Sequence, residues 1–84
     1  MIYNILFSES ALKQLKKLDS CIQERILSAL ERIRVNPERH LSRLVGDPGY
    51  RLRVGDYRII VDVDQAKLLV LVVKVGHRKS IYNQ

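Results

Sequence analysis

The chain has one cysteine in 84 residues, Cys21, so it can form no intrachain disulfide and build no thiolate metal cluster. It has no tryptophan, one phenylalanine and four tyrosines, a thin supply of the aromatic faces on which single-stranded bases stack. The longest fully apolar run, Leu68 to Val73, falls far short of the roughly 20 residues a spanning helix needs. Met1 to Phe7 is short and a charged helical pattern follows at once, which does not read as a signal peptide. A cytoplasmic protein with no membrane partner is expected. Linkers, repeats and low-complexity stretches are missing too, and a single domain over residues 1–84 is expected. A domain of this size buries only about two thirds of its unfolded surface.

Acidic residues are also in short supply. Lys and Arg together number 15 against 9 Asp and Glu, a formal charge of +6. The second part of the chain, 37–84, holds 9 of the basic residues, and six of those are arginine. The planar guanidinium fork suits phosphate, so a polyanionic partner, nucleic acid or an acidic protein, is indicated.

Tyr50-Arg51-Leu52-Arg53-Val54-Gly55-Asp56-Tyr57-Arg58-Ile59 places part of that charge. Gly55-Asp56 between two alternating runs reads as a two-residue hairpin turn, with Gly first as type II′ requires. Val54 then opposes Tyr57 and Arg53 opposes Arg58. Arg51 projects to the same side because strand side chains alternate with period two. Tyr50, Leu52, Val54, Tyr57, Ile59 and Val61 take the other face. Like charges directly opposed destabilise a hairpin by up to about 1 kcal/mol, so the pairing of Arg53 with Arg58 suggests an anion site.

Around this hairpin the pattern predicts an α+β fold: an N-terminal strand, an antiparallel two-helix hairpin and a three-stranded antiparallel meander, the helices packed on one sheet face. Tyr3 to Phe7 is the first strand. Ser8 caps a helix with Ala11, Leu12, Leu15 and Leu18 at helical spacing. Asp19 and Ser20 break it, and Ser20 with Gln23 reads as a capping box for a second helix. That helix carries Ile22, Ile26, Ala29, Leu30 and Ile33 on one stripe and stops before Asn36-Pro37. Glu38 to Gly49 reads as irregular, with a Pro48-Gly49 turn. Strands at Tyr50 to Val54, Tyr57 to Val63 and Leu68 to Val75 follow, the last two joined near Asp64 to Lys67. The helices cover the face bearing Leu52, Val54, Ile59 and Val61, which leaves the arginine face open.

Two other features have ordinary explanations. Cys21 is a small residue in the first turn of a helix, with no base beside it to make it reactive. Asp62 and Asp64 share a strand face and could ligate a divalent ion, but Asp is common at a hairpin end for turn reasons and no third ligand lies nearby. No metal site is assigned.

The order strand, two helices, three strands, with Tyr50-Arg51-Leu52-Arg53, Gly55-Asp56-Tyr57-Arg58, Val75-Gly76-His77-Arg78 and then Tyr82, resembles the RelE toxins of bacterial and archaeal toxin-antitoxin pairs. The resemblance spans the chain, and its specific part is the second half. It implies a type II toxin that cuts messenger RNA in the ribosomal decoding site, with no cofactor. The related ParE branch, whose members inhibit DNA gyrase, is the alternative; a noncatalytic member that binds only RNA or its antitoxin is another. The basic residues and late tyrosine favour RelE.

RNA carries its own nucleophile, the 2′-hydroxyl. Cleavage needs in-line positioning, removal of that proton, stabilisation of the charged phosphorane and protonation of the leaving 5′-oxygen. No metal is strictly required. Arg51, Arg53 and Arg58 can hold the scissile phosphate. The resemblance implies Arg78 near the phosphate or leaving group, and Tyr82 positioning or deprotonating the 2′-hydroxyl. Well-known members carry lysines where this chain has Arg51 and Arg53, and one of those lysines is a candidate base. Arginine stays protonated and can hardly replace it. His77, beside Arg78, is the first substitute, since histidine as a residue type exchanges protons near neutrality; Tyr82 is the second. Adjacent strand residues point to opposite faces, so His77 can equally point away.

Further RNA or ribosome contacts are expected from Lys13, Lys16 and Lys17 on the first helix and from Arg39, His40 and Arg43 in the irregular stretch, although solvated surfaces carry such residues too. The resemblance also implies an acidic RelB-like antitoxin, suited by charge to the basic face. With only two residues after Tyr82, inhibition by displacing a C-terminal helix is not expected; direct cover of Arg51, Arg53, Arg58 and Arg78 is.

Overall fold

The computed structural model describes residues 2–43 and 49–77, with the side chain of Arg43 outside that description. Eight elements follow in chain order: β1 (Asn4–Phe7), α1 (Glu9–Lys16), α2 (Ser20–Ile33), α3 (Pro37–His40), β2 (Ser42–Arg43), β3 (Tyr50–Val54), β4 (Tyr57–Asp64) and β5 (Leu69–His77). The strands form one five-stranded sheet in the order β1-β5-β4-β3-β2. The α+β fold and the helix-covered sheet face match the sequence reading. The meander β3-β4-β5 is antiparallel, and β1 joins it parallel to β5, Asn4 opposite Leu69 through Phe7 opposite Val72.

The core lies between the helices and one sheet face. Ala11 and Leu15 of α1 and Ile26, Ala29, Leu30 and Ile33 of α2 meet Leu52, Ile59, Val61, Val70, Val72 and Val75. Helical spacing on one side and alternation on the other bring these residues to a common plane. At roughly 1.5–3 kcal/mol for each fully buried aliphatic side chain, this layer is the main stabilising contribution in so small a fold.

Three local expectations are corrected. Ser8 does cap α1, its Oγ accepting the Ala11 N–H at 3.0 Å, but Ser20 and Gln23 form no capping box. Asp19 is the N-cap residue of α2. Gln23 reaches back instead, its Nε2 donating to the Leu18 carbonyl at 2.7 Å. The same Nε2 lies 3.5 Å from the carbonyl of Lys16, an end-of-helix carbonyl with no partner within the helix, so Gln23 ties α2 to the end of α1.

The stretch read as irregular holds α3, one turn with Pro37 at its start, where a missing N–H costs nothing. It also holds β2, which extends the sheet by pairing Ser42 with Arg51 and Arg43 with Tyr50. The last strand runs on to His77 rather than Val75. Leu68, just before it, takes a left-handed conformation with φ 51°, and Asp64 Oδ1 accepts the Lys67 N–H at 3.1 Å within this turn.

One irregularity governs the rest. Ile60 pairs with Lys74, yet the next residue, Val61, pairs with Val72. Val73 is therefore an extra residue on β5, a bulge that shifts the alternation of everything after it. Val72 and Val75 both face the core, three positions apart.

Candidate active site

The hairpin register is as the turn dictates: Val54 opposes Tyr57 and Arg53 opposes Arg58. Gly55 has φ +58° and is the only glycine with positive φ among the described residues. A left-handed residue at the first turn position gives the twist that matches two strands. Arg25 of α2 packs there, its guanidinium 3.2 Å from where a Cβ on Gly55 would sit.

Across three strands the register builds rungs on the sheet face turned away from the helices. Arg53, Arg58 and Gly76 form one; Arg51, Ile60 and Lys74 form the next. The face is not uniformly open, as the sequence suggested. Arg53 is exposed and Arg51 half-buried, but Arg58 is only 8 % exposed. It stands on the central strand β4, between Arg53 of β3 and Gly76 of β5, while Arg53 lies nearer the sheet edge. A guanidinium held this way has little freedom to lose on meeting an anion.

Lys74 is the residue that sequence reasoning missed. Strict alternation from Val70 and Val72 would turn Lys74 into the core and His77 out. The bulge reverses both: Lys74 shares the arginine face through its pairing with Ile60, and His77 pairs with Tyr57 on the helix side. The two rings meet edge to face, centroids 5.5 Å apart at 81°. His77, expected as the first proton acceptor, is therefore on the face opposite Arg51, Arg53 and Arg58. The available signal was Val75, an apolar residue out of phase with Val70 and Val72.

The other expected contacts scatter. Lys13, Lys16 and Lys17 are exposed on α1, in the helical layer across the sheet from the arginines. Arg39 and His40 are exposed on α3, near the β2 edge. Arg78 and Tyr82 lie outside the described residues, as does the side chain of Arg43. Cys21 is exposed in the first turn of α2, at a cleft of about 570 Å³ also lined by Arg25, Arg32 and Arg53. Among the described residues no three His, Cys, Asp or Glu side chains group to hold a metal ion, and no helix is long and apolar enough to cross a membrane.

This layout of strands, helices and cationic hairpin has relatives. The family profile described as "ParE toxin of type II toxin-antitoxin system, parDE" matches residues 5–82. The chain belongs to the RelE/ParE superfamily of type II toxins. Within it, the chain is 33% identical to the mRNA interferase toxin RelE of Escherichia coli, over 100% of this chain and 94% of that one. Among solved structures it is similar to the intact E. coli RelBE toxin-antitoxin complex, at TM-score 0.77 and 34% identity, covering 89% of this chain and 95% of that one. It is also similar to the RelBE2 toxin-antitoxin complex of Mycobacterium tuberculosis, at TM-score 0.82 and 25% identity, covering 93% and 100%. It is a RelE-like toxin of a type II toxin-antitoxin system.

Proposed function

We propose that this RelE-like toxin is a ribosome-dependent endoribonuclease that cuts messenger RNA in the decoding site, acting in the cytoplasm without a metal ion. The observation that carries the reading is the rung of Arg53 and Arg58, with Arg51 one rung away on the same face. Two guanidinium groups on adjacent strands, whose axes lie roughly 4.8 Å apart, can share one phosphate and neutralise the charge that develops on it during in-line attack. Support from relatives is that two are named mRNA interferases.

In this reading the 2′-hydroxyl attacks the adjacent phosphorus, giving a phosphorane held by Arg58 and Arg53. The bond to the 5′-oxygen then breaks, leaving a 2′,3′-cyclic phosphate on one fragment, and water protonates the departing 5′-oxygen to a hydroxyl on the other. Arg78, by family resemblance, stabilises the phosphorane or leaving oxygen. His77 is paired with Tyr57 across the sheet, so the removal of the 2′-proton falls to Tyr82. The ribosome fixes the message in the reactive geometry, which explains how a site poor in stacking aromatics can act. Lys13, Lys16, Lys17, Arg39, His40 and Arg43 are proposed as contacts to ribosomal RNA backbone.

An acidic RelB-like antitoxin is the proposed partner, covering Arg51, Arg53, Arg58 and Arg78 directly. Several similar structures are RelB-RelE complexes. The deciding experiment maps message ends after the purified chain is added to translating ribosomes and, in parallel, to naked RNA. New ends on ribosomes alone support the reading. Intact message together with trapped gyrase-DNA breaks would replace it with the activity that the ParE name denotes. Intact message and intact DNA would leave a binding protein.

A further inference from the structure

We infer that the arginine face is a ladder for two consecutive phosphates of single-stranded RNA, with Lys74 and Arg51 holding the second and Asp62 ending it. The inference rests on the nuclease reading for the identity of the first phosphate and adds the subsite beside it. The register is the basis. Arg53 and Arg58 share one rung, Arg51 and Lys74 flank Ile60 on the next, and Asp62 with Leu71 occupies the third. Successive rungs on one face are separated by two residues, roughly 6.6 Å at about 3.3 Å per residue, a step that an extended nucleic-acid strand can follow from one phosphate to the next.

The third rung has the opposite sign. Asp62 is exposed and lies two residues beyond Ile60 on β4, on the same face. A carboxylate there repels a third phosphate, so the strand must leave the sheet after two. Ile60, half-buried between Arg51 and Lys74, gives the second rung an apolar centre, suited to the sugar between the phosphates. Lys74 reaches this position only because of the Val73 bulge. The role inferred for it is to bind and place the substrate.

The test uses the purified chain and a short single-stranded RNA carrying 2′-O-methyl groups, which cannot be cut. Affinity is measured against potassium chloride concentration, and then with one phosphate at a time replaced by a neutral methylphosphonate. Each phosphate contact contributes about 0.7 to the slope of log affinity against log salt for single strands. Lys74→Ala should lower that slope by about one such contact and weaken binding roughly fivefold, with Lys74→Arg restoring both. A methylphosphonate at one linkage adjoining the scissile phosphate should abolish the Lys74→Ala effect, while one at the scissile phosphate should leave it. Asp62→Asn, a surface change that spares the bulge, should tighten binding and steepen the slope. An unchanged slope in Lys74→Ala, or an effect independent of which phosphate is neutral, would overturn the ladder. Message cleavage on ribosomes is scored separately: coupling without cleavage would sink the nuclease reading and keep the two-phosphate site.

Discussion

The backbone N–H of Val75 donates to Oε1 of Gln14 at 2.8 Å, so a side chain of α1 does the work of a missing strand. β1 covers β5 only as far as Val72. Beyond that point α1 takes over: the Ser8 N–H donates to the Val72 carbonyl at 2.8 Å, and its Oγ donates to the Val73 carbonyl at 3.0 Å. A bulge leaves backbone groups without ladder partners, and here Ser8 and Gln14 supply them. The same bulge decides which side chains of β5 stand beside the arginines.

Gln14→Leu keeps the bulk and removes the acceptor. A part-buried N–H left without a partner costs about 1–3 kcal/mol, which a urea titration should read as a lower midpoint with unchanged slope. Gln14→Glu retains an acceptor oxygen and should lose far less. Equal losses in both variants would show that the hydrogen bond is not the cause.

Gly55→Ala should cost about 1–2 kcal/mol, because an L-residue with a Cβ is strained at φ +58°. The nearest atom to that Cβ is the mobile end of Arg25, which can swing away. Thermal unfolding of Arg25→Ala/Gly55→Ala should therefore show no rescue. Full rescue would place the cost in the side-chain contact instead of the backbone.

Arg53→Ala and Arg58→Ala should differ. Arg58 is held at the sheet centre, and its loss should slow single-turnover cleavage on programmed ribosomes about 100- to 1,000-fold, the scale for removing one preorganised charge-stabilising donor. Arg53 is exposed, and its loss should slow cleavage less. Removing it also ends the like-charge pairing, so Arg53→Ala should raise stability by up to about 1 kcal/mol while lowering activity. A less stable Arg53→Ala would mean that the opposed charges are not a strain on the apo fold.

His77→Ala should leave the cleavage rate near that of the unaltered chain and lower stability by about 0.5–1.5 kcal/mol through the lost edge-to-face contact with Tyr57. Tyr82→Phe should slow cleavage at least about 100-fold, as expected when a general base is removed. A fast Tyr82→Phe paired with a slow His77→Ala would reverse the assignment of the proton acceptor.

Arg53 and Lys74 share a sheet face, but only the placement of Arg53 is written in its neighbouring residues. Arg53 and Arg58 are four residues from each other's turn neighbours, joined by a two-residue loop whose glycine allows one register, so their pairing follows from local chemistry alone. The helical stripes of Ala11, Leu15, Ile26 and Leu30 are likewise periodic in the chain itself. Lys74 and His77 depend on the bulge at Val73, and that rests on Ser8 and Gln14, some sixty positions away in the chain. No window along β5 contains those partners. The departures at Gln23 and β2 are shorter in range, Gln23 bonding the Leu18 carbonyl five residues back and β2 pairing with β3, but each turns on a partner outside its own periodic pattern.

By itself, then, the sequence determined an α+β domain with a cationic hairpin, because turns and periodicity act between near neighbours, and its second-half motifs carried the resemblance to the RelE toxins. Only the tertiary structure decided that β1 lies parallel to β5, that Arg58 is buried while Arg53 is not, and that Lys74 rather than His77 shares the arginine face. Those outcomes follow from backbone hydrogen bonds seeking partners across the whole molecule, which the order of residues along one strand does not encode.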